Sequence, residues 1–486
     1  MNRTASIPVA TRDIRRLFVA NRGEIAVRVI RACRTLGIES VVGVSEADID
    51  TLAARMADDV VVLGPPLASE SYLRADKIVE AALRTGCDAV HPGYGFLSER
   101  SSFVRACVEA GLVFVGPSAE AIDAMGDKIT AVSLAEKAGV PRVPGSGALT
   151  DAAHARRVGA QIGYPVLIKA TAGGGGRGMR IVRDESELEA LMSSAANEAQ
   201  SAFGDATLYM EKFIEHARHI EIQVMADSHG NVVYLGEREC STQRRHQKLI
   251  EEAPSPVVDA AMRHAMGECA VSLTRNAQYC GAGTIEFVVD QRDNRYFFLE
   301  MNTRIQVEHP VTEMVTGFDL VAEQIRVAAG LPMSFTQADV KLQGHAIECR
   351  INAEDPERNF LPRPGLISLW EIPSGDGIRV DSHCYSGYTV PPYYDSLLGK
   401  LIVHAATREQ AIERMRLALA GLRVEGPTTT ALFHESVLAH EDFLNGNVTT
   451  RWVEETFLPQ RKAAQKAAKD AAKQSATNGQ AAEVKQ

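Results

Sequence analysis

Short apolar runs alternate with amphipathic helical segments over the first quarter of the chain. Between Leu17 and about Val115, strand-like runs such as LFVA and DVVVLG are separated by segments such as EIAVRVIRACRTLG, whose apolar residues recur at helical spacing. On that first helix one face carries Ile25, Val29, Ile30, Cys33 and Leu36. The alternation predicts a doubly wound parallel sheet with this face packed on it.

The pattern changes twice further along the chain. A breaker-rich stretch, VPRVPGSG, leads into a second unit centred on YPVLIKATAGGGGRGMRIVRD. After about residue 213, hairpins with strict alternation follow, such as HIEIQVMAD with NVVYLGERE, and they predict an antiparallel sheet. We therefore expect a parallel-sheet domain at 1–130, a second unit at 131–213, an antiparallel domain at 214–460, and a low-complexity tail at 461–486 that is either a frayed helix or disordered.

Composition excludes several classes of protein. The 486 residues carry a formal net charge of -10, which argues against a general nucleic-acid or anionic-membrane surface, so any phosphate chemistry must be local. The sequence contains no run with the length of a membrane span and no signal-peptide pattern at its start. Eight cysteines without CxxC spacing are typical of reduced thiols in a cytoplasmic protein. We interpret Cys240 and Cys349 as small buried apolar residues.

A glycine run lies between two predicted strands. Gly173–Gly176 follow YPVLIKA and precede RIVRD, whereas a P-loop or a dinucleotide fingerprint would lead into a helix. Glycines let backbone N–H groups approach phosphate oxygens, and Lys169 with Arg177 would add positive charge. A flexible loop without a ligand is the alternative that the run alone leaves open.

An acidic hairpin is the most informative pattern. Folding GTIEFVVDQRDNRYFFLEMN about Asp293 sets Glu286 opposite Glu300, with Asn302 on the same face. Facing carboxylates repel each other, and a bound cation would relieve the repulsion; two carboxylates and an amide suit Mg²⁺ or Mn²⁺. The alternative is a bulge that shifts the register and turns one glutamate to solvent.

Three further segments carry charges near this hairpin. If the strand continues through NTRIQVEHPVTE, Arg304, Gln306 and Glu308 share one face, so that Arg304 would bind a small oxyanion and Glu308 would take a proton from it. The stretch STQRRHQKLIEEAPSP, with Lys248 beside two glutamates, has the mixed charge of a solvated loop. Arg350, in the alternating strand GHAIECRINAEDP, reaches either a pocket or solvent, and periodicity does not decide which.

Several long motifs, in order, resemble biotin carboxylase, a family of the ATP-grasp superfamily. They are FVANRGEIAVRVIRAC, HPGYGFLSE, GGGGRGM, RRHQK, EEAP, EMNTRIQVEHPVTEM, ECRINAEDP and GYTVPPYYDSLLGKL. The resemblance runs from about Leu17 to Pro459. It implies an α/β and α+β ATP-grasp fold: an N-terminal doubly wound, Rossmann-like domain, a mobile lid with the glycine loop, and a C-terminal antiparallel domain.

The resemblance also implies roles for individual residues. The implied nucleotide contacts are Lys128, Lys169, Gly175, Gly176, Glu211, Lys212, Phe213, Ile214, His219, Gln243 and His246. The implied metal ligands are Glu286, Glu300 and Asn302, of which the two glutamates also belong to the ATP site. The implied bicarbonate and biotin site comprises Lys248, Arg304, Gln306, Val307, the base Glu308, Arg350 at the ureido oxygen of biotin, and Tyr94 near the biotin ring.

The implied reaction uses ATP, Mg²⁺ or Mn²⁺, bicarbonate and biotin, and passes through carboxyphosphate. The sequence contains no Met-Lys-Met biotin-acceptor motif, so we expect a separate biotin carboxyl carrier protein and separate carboxyltransferase subunits, as in acetyl-CoA carboxylase and fatty acid synthesis. A homodimer is the family expectation. Two departures, Ala172 for a further glycine and Thr35 for a carboxylate, leave the implied catalytic residues unchanged.

Other functions remain as alternatives. A two-subunit pyruvate or other acyl-CoA carboxylase would use a similar chain, and a different ATP-grasp ligase would share the lid and the metal ligands. A non-catalytic nucleotide-binding regulator predicts a broken acid or base position, whereas Glu286, Glu300 and Glu308 are all present. An NAD-dependent oxidoreductase is disfavoured because ANRGEI supplies no GxGxxG turn.

Overall fold

The computed structural model describes residues 11–171, 178–467 and 470, without the side chains of residues 128 and 129. The chain divides into two compact units. The first contains the described residues of 1–139, 218–287 and 299–486, and the second those of 140–217 and 288–298. The limits of the four segments expected from the sequence stay a prediction.

The first unit opens with the parallel sheet that the alternation predicts. Its strands and helices are β1 (Arg16–Val19), α1 (Gly23–Leu36), β2 (Glu39–Ser45), α2 (Leu52–Met56), β3 (Asp59–Gly64), α3 (Ala75–Arg84), β4 (Ala89–His91), α4 (Ser101–Glu109) and β5 (Val113–Phe114). The sheet order is β3-β2-β1-β4-β5, and all four pairings are parallel. On α1 the predicted face packs into the core, with Leu36 partly buried at its end. The doubly wound N-terminal domain is confirmed.

Two helices follow this sheet, α5 (Ala119–Gly126) and α6 (Lys128–Lys137). The second unit then contains α7 (Ala152–Ile162), β6 (Val166–Ala170), β7 (Arg180–Val182), α8 (Leu188–Phe203) and β8 (Leu208–Lys212). Its three strands form an antiparallel sheet in the order β7-β6-β8. The glycine run connects β6 to β7, which are paired strands as predicted; residues 172–177 lie outside the described part of the chain.

A large, mainly antiparallel sheet forms the body of the first unit, and its hairpin tip, residues 288–298, is grouped with the second unit. Its strands, in spatial order, are β13 (Arg295–Asn302), β12 (Gly281–Asp290), β9 (Ala217–Ala226), β10 (Val232–Arg244), β11 (Gln247–Ala253), β14 (His345–Asn352), β21 (Leu397–Ala405) and β19 (Ile378–Ser382). Helices α9 (Ala260–Asn276), α10 (His309–Thr316) and α11 (Leu320–Ala328) connect these strands. The predicted antiparallel domain is therefore present.

The remaining elements of the first unit are short strands and C-terminal helices. The strands are β15 (Glu354–Asp355), β16 (Leu361–Pro362), β17 (Gly365–Leu366), β18 (Leu369–Glu371), β20 (Thr389–Val390) and β22 (Arg423–Glu425). The helices are α12 (Arg408–Gly421), α13 (Ala431–Leu438) and α14 (Glu441–Leu444). Apolar residues of α12 and α13 pack on β11, β14 and β21 in one continuous core.

A buried ionic contact fixes α12 to this sheet. Glu252 of β11 accepts from Arg408 Nε at 2.7 Å and lies 2.8 Å from His345 Nε2. Burial alone would raise the pKa of Glu252, but the hydrogen bond with His345 and the charge of Arg408 lower it to about 2. The carboxylate is therefore ionised at neutral pH, and the helix end is held by charge as well as by packing.

The C-terminal segment begins as a helix, which is one of the two alternatives expected from the sequence. Residues 461–467 are helical, and residues 468, 469 and 471–486 lie outside the described part. Arg461 Nη2 lies 2.5 Å from Glu357 Oε1, and Gln465 Nε2 donates to the same carboxylate at 2.9 Å. Alanine, lysine and glutamine favour helix, so a segment without large apolar residues continues a preceding helix when its first turns are anchored. Across the described residues, every helix falls short of the length and apolar character that membrane spanning requires.

Candidate active site

The acidic hairpin, β12 with β13, brings the predicted oxygen ligands together. Asn302 Nδ2 donates to Glu286 Oε1 at 2.8 Å, and both side chains are buried. Glu300 is exposed. Although the residue as a whole is exposed, partial desolvation of its carboxyl group and then the nearby charge of Glu286 raise the pKa of Glu300. The arrangement is a set of oxygen donors with excess negative charge.

His219 of β9 completes the inner side of this acidic set. Its Nε2 lies 3.2 Å from Glu286 Oε2, and Gln243 Nε2 lies 3.5 Å from its Nδ1. Burial would lower the pKa of His219, but the charge and hydrogen bond of Glu286 together with the charge of Glu221 raise it. Ligand atoms of His219, Glu221 and Glu286 lie close enough together to hold a metal ion. Two predicted nucleotide contacts, His219 and Gln243, thus adjoin the predicted metal ligands.

Lys248 lies at the centre of three carboxylates. Its Nζ is 2.5 Å from Glu308, 2.7 Å from Glu221 and 3.4 Å from Glu286. Burial would lower the pKa of Lys248, but the surrounding acidic groups raise it well above its ordinary value. The ammonium group therefore stays charged and offsets acids that would otherwise repel one another inside the protein.

A register shift aims Lys248 at this cluster. In the β10–β11 pairing, Thr242 lies opposite Ile250 whereas Gln243 lies opposite Lys248, so β11 carries one extra residue between these pairs. Such a bulge reverses the alternation of side chains, and Lys248 and Glu251, three residues apart, can share a face. Periodicity alone does not decide whether this segment is a solvated loop; in the structure it is a hairpin that is buried except near its tip.

The tip of that hairpin is a two-residue turn. Arg245 and His246 have φ angles of 47° and 63°, and both side chains are exposed. Positive φ at both central residues matches the twist of a tight antiparallel hairpin. His246 therefore lies at the turn, two residues from Lys248, and the described contacts place it against neither Lys248 nor Glu286.

Glu308 is fully buried and held by two cations. Arg350 Nη2 lies 2.9 Å from its Oε2, and Lys248 Nζ contacts its Oε1. Burial alone would raise the pKa of Glu308, but Lys248, Arg350 and then Arg238 hold it well below its ordinary value. The carboxylate is thus ionised at neutral pH. Arg350 points into the site, which answers the question that periodicity left open.

The strand expected to carry Arg304, Gln306 and Glu308 ends earlier. β13 stops at Asn302, and α10 begins at His309 with a proline in its first turn, so Glu308 occupies the helix N-cap position. Proline has a fixed φ and no N–H group, which suits the start of a helix and not an interior strand. The shared face predicted for a continued strand is therefore wrong, although all three residues still lie at the site.

Arg304 and its neighbours form the wall next to the metal ligands. Arg304 donates through Nη1 to Gln306 Oε1 at 3.0 Å and through Nη2 to Asn302 Oδ1 at 3.2 Å. Gln306 Nε2 also reaches Glu286 Oε1 at 3.4 Å. The backbone carbonyl of Val307 accepts from Lys400 Nζ at 2.7 Å, which fixes the loop from the opposite side.

Tyr94 reaches the same region from the N-terminal sheet. Its hydroxyl donates to Glu24, which lies 3.1 Å from Lys400 Nζ. Burial and the charge of Glu24 raise the pKa of Tyr94 well above its ordinary value, while the charge of Arg350 acts in the opposite direction. The phenol is therefore neutral at physiological pH.

The predicted nucleotide contacts of the second unit form a cluster of their own. Lys169 of β6 and Glu211 of β8 are diagonal cross-strand neighbours with Nζ and Oε2 2.5 Å apart. Lys212 Nζ donates to the carbonyls of Gly163 and Tyr164 at 2.9 and 3.0 Å. Residues 213–214 continue this edge, with Phe213 donating its backbone N–H to Pro165 and Ile214 buried in a small apolar cluster. The side chain of Lys128, and Gly175 and Gly176, lie outside the described residues.

Sequence reasoning missed several charged residues of the site. Glu221 and Arg238 are fully buried and joined at 2.6 Å, and Glu251, Glu24 and Lys400 are buried beside them in the first unit. The available signal was a charge inside an otherwise apolar strand, as in HIEIQVMAD and LLGKLIV. The expectation for Cys240 and Cys349 is confirmed, since both are fully buried.

Comparison with known proteins finds matches over most of the chain. Family models match in three regions: "Biotin carboxylase, N-terminal domain" over 13–122, "Carbamoyl-phosphate synthase L chain, ATP binding domain" over 127–336, and "Biotin carboxylase C-terminal domain" over 348–455. Biotin carboxylase 1 of Bacillus subtilis is 53% identical, with 91% of this chain and 98% of that protein covered. A pyruvate carboxylase subunit from Methanothermobacter thermautotrophicus is 52% identical over 90% of this chain and 89% of that protein.

Solved structures give the same picture. A beta-gamma-ATP complex of biotin carboxylase from Campylobacter jejuni is 48% identical, covers 91% of this chain and 98% of its own, and superposes with a TM-score of 0.85. The biotin carboxylase domain of a thermophilic 2-oxoglutarate carboxylase, bound to bicarbonate, is 47% identical with the same coverage and a TM-score of 0.87. The fold is thus shared with these solved structures along nearly their whole length.

Proposed function

The chain belongs to the biotin carboxylase family of ATP-dependent ligases, and from that premise we propose that it carboxylates biotin held on a separate carrier protein, using ATP and bicarbonate. One observation supports the proposal most strongly. Glu308 is buried, ionised and held between Lys248 and Arg350, next to an acidic hairpin with the donors for a divalent cation. A proton acceptor, anion-binding cations and oxygen ligands are what the reaction needs in one place.

We assign the bicarbonate site to Lys248, Arg304, Gln306 and the backbone of Val307. Bicarbonate displaces part of the existing hydrogen bonding there, and its O–H is presented to Glu308. Proton transfer to this carboxylate leaves an oxygen nucleophile that attacks the γ-phosphorus of ATP; the bond to the β-phosphate oxygen breaks, giving ADP and carboxyphosphate. The cations around Glu308 keep it deprotonated until bicarbonate arrives.

Carboxyphosphate then yields carbon dioxide and phosphate. Phosphate removes the N1 proton of biotin, and the ureido ring carries the developing charge on its oxygen. We assign stabilisation of that oxygen to the guanidinium group of Arg350, with Tyr94 beside the ring. Attack of N1 on carbon dioxide gives carboxybiotin. Excluding water protects the intermediate, and we assign this to the glycine loop of the second unit.

The nucleotide and metal sites follow from the same assignment. We propose that ATP contacts Lys128, Lys169, Gly175, Gly176, Glu211, Lys212, Phe213, Ile214, His219, Gln243 and His246. Glu286, Glu300 and Asn302 would hold Mg²⁺ or Mn²⁺, and their donor set fits, since Glu286 already raises the pKa of Glu300 and a cation would relieve that repulsion. When bound, the ion neutralises charge on the phosphate oxygens during transfer.

The partners and the final carboxyl acceptor form the finer part of the proposal. Relatives named biotin carboxylase are 53% identical to this chain, and we propose that the biotin carrier and the carboxyltransferase are separate polypeptides, as in acetyl-CoA carboxylase. The relative named as part of a pyruvate carboxylase makes pyruvate the second candidate acceptor. A homologous biotin carboxylase domain is described as a dimer, and we propose a homodimer in the cytoplasm.

Hydrolysis of ATP by the purified chain tests the proposal. With Mg²⁺ present, ADP release is expected to require bicarbonate and to rise when free biotin is added, because biotin removes carbon dioxide and uses the phosphate as its base. Loss of the bicarbonate requirement, or stimulation by an amine in place of biotin, would indicate a different ATP-grasp ligase.

A further inference from the structure

Arg350 contacts a second buried carboxylate besides that of Glu308, and this second carboxylate has no role in the reaction above. Glu251 lies on β11 and Arg350 on β14, and the register places Glu251 directly opposite Glu348, two residues before Arg350. The two are therefore diagonal cross-strand neighbours on one face of the sheet. Glu251 Oε1 accepts from Arg350 Nε at 2.6 Å and lies 2.5 Å from Nη2.

We propose that Glu251 is a positioning residue for biotin carboxylation: it fixes the plane of the Arg350 guanidinium group so that the remaining edge faces the biotin ureido oxygen. The inference rests on the function proposed above, in which Arg350 meets that oxygen. Glu251 itself touches neither ATP nor bicarbonate in this arrangement, so its effect on them passes through Arg350.

Geometry shows why one acid is not enough. Glu308 engages Arg350 through Nη2 alone, at 2.9 Å, and a single contact leaves the planar group free to rotate about it. The contact with Glu251 uses Nε as well as Nη2, which fixes the orientation of the plane. Nη1 is then the nitrogen left for a substrate, and the arginine side chain keeps 17% of its surface exposed.

The charges around Arg350 also support a positioning role for Glu251. Burial would lower the pKa of Arg350, but Glu251, Glu308 and then Glu348 raise it, so the group stays positive in a buried position. Burial raises the pKa of Glu251 to about 7, with Arg350 opposing the rise. The contact is therefore strongest above neutral pH, where Glu251 is ionised.

The neighbouring Glu348 offers a matched control. It is fully buried on the same face and lies near Arg350, yet among the described residues no group donates a hydrogen bond to either of its oxygens. Burial raises its pKa well above its ordinary value, although Lys400 opposes the rise. Glutamine resembles the protonated acid, so Glu348→Gln removes an acid beside Arg350 without removing a contact.

The experiment compares two activities of the full-length chain at about pH 8, above the pKa of Glu251. Glu251→Gln is expected to lower kcat/KM for free biotin by about 100-fold, the cost of a misplaced catalytic group, while bicarbonate-dependent ATP hydrolysis without biotin stays close to wild type. Glu348→Gln is expected to match wild type in both assays. Should Glu251→Gln unfold, Glu251→Asp, which keeps the charge and withdraws the carboxylate by one methylene, is expected to show the same split in milder form.

The possible results separate the two claims. A proportional loss of both activities in the Glu251 variants, or no loss in either, overturns the positioning role. An equal loss of biotin carboxylation in Glu348→Gln also overturns the positioning role, because removing any acid from this face of the sheet would then have the same effect. Wild-type protein without any biotin stimulation overturns the proposed function itself and is recognised before a variant is made.

Discussion

Replacing Glu308 by glutamine is expected to lower the rate of biotin carboxylation by about 1,000-fold, the range typical of a general base. Glutamine keeps the size of the side chain but cannot accept the bicarbonate proton. Glu308 is fully buried and its carboxylate is ionised by Lys248 and Arg350, so the variant loses the base and leaves both cations in place.

Nucleotide binding is the matched measurement for this variant. None of the proposed ATP contacts includes Glu308, so the Kd for ATP, measured by calorimetry, is expected to stay near the wild-type value. A rise in this Kd as large as the fall in carboxylation rate would show that the residue supports binding and would contradict the role as base.

Replacing Lys248 by methionine is expected to damage both stability and activity. Its ammonium group offsets Glu221, Glu286 and Glu308, and removing one partner of a buried ionic cluster costs about 3 kcal/mol or more in the free energy of unfolding. Carboxylation is expected to fall by about 100-fold or more, because a cation that binds the reacting anion is also lost.

Two controls sharpen the Lys248 prediction. Lys341→Met removes an exposed lysine of the same unit and is expected to change neither urea stability nor activity. Lys248→Arg keeps the charge and is expected to recover most of the unfolding free energy but only part of the rate, since a planar group places its donors differently. If Lys248→Met has the same free energy of unfolding as the wild type, the ionic cluster around Lys248 does not stabilise the fold.

The sequence pattern predicts most of the fold because its periodicities are long and regular. The first helix and the strands around it obey the expected alternation, and the acidic hairpin folds as its turn predicts. Hydrophobic periodicity is sufficient for these helices and strands, since the burial of each residue follows from its position in a regular helix or strand.

The features that the sequence pattern did not predict each depend on a single local detail of the structure. The bulge in β11 is invisible in a run of mixed charge, yet it turns Lys248 towards Glu308. The strand predicted to reach Glu308 is cut short by the helix that starts at His309. The hydrogen bond between Arg350 and Glu251 joins two residues that are 99 positions apart in sequence. Their proximity follows only from the pairing register of β11 and β14.

The most direct measurement is the transfer of carbon from isotopically labelled bicarbonate to biotin by the purified chain in the presence of ATP and Mg²⁺. Labelled carboxybiotin is expected in equal molar amount to the ADP formed by the biotin-stimulated reaction, because each carboxyl transfer consumes one phosphoanhydride bond. ATP consumption with no label in biotin, under conditions in which a known biotin carboxylase labels it, would show that this chain does not carboxylate biotin.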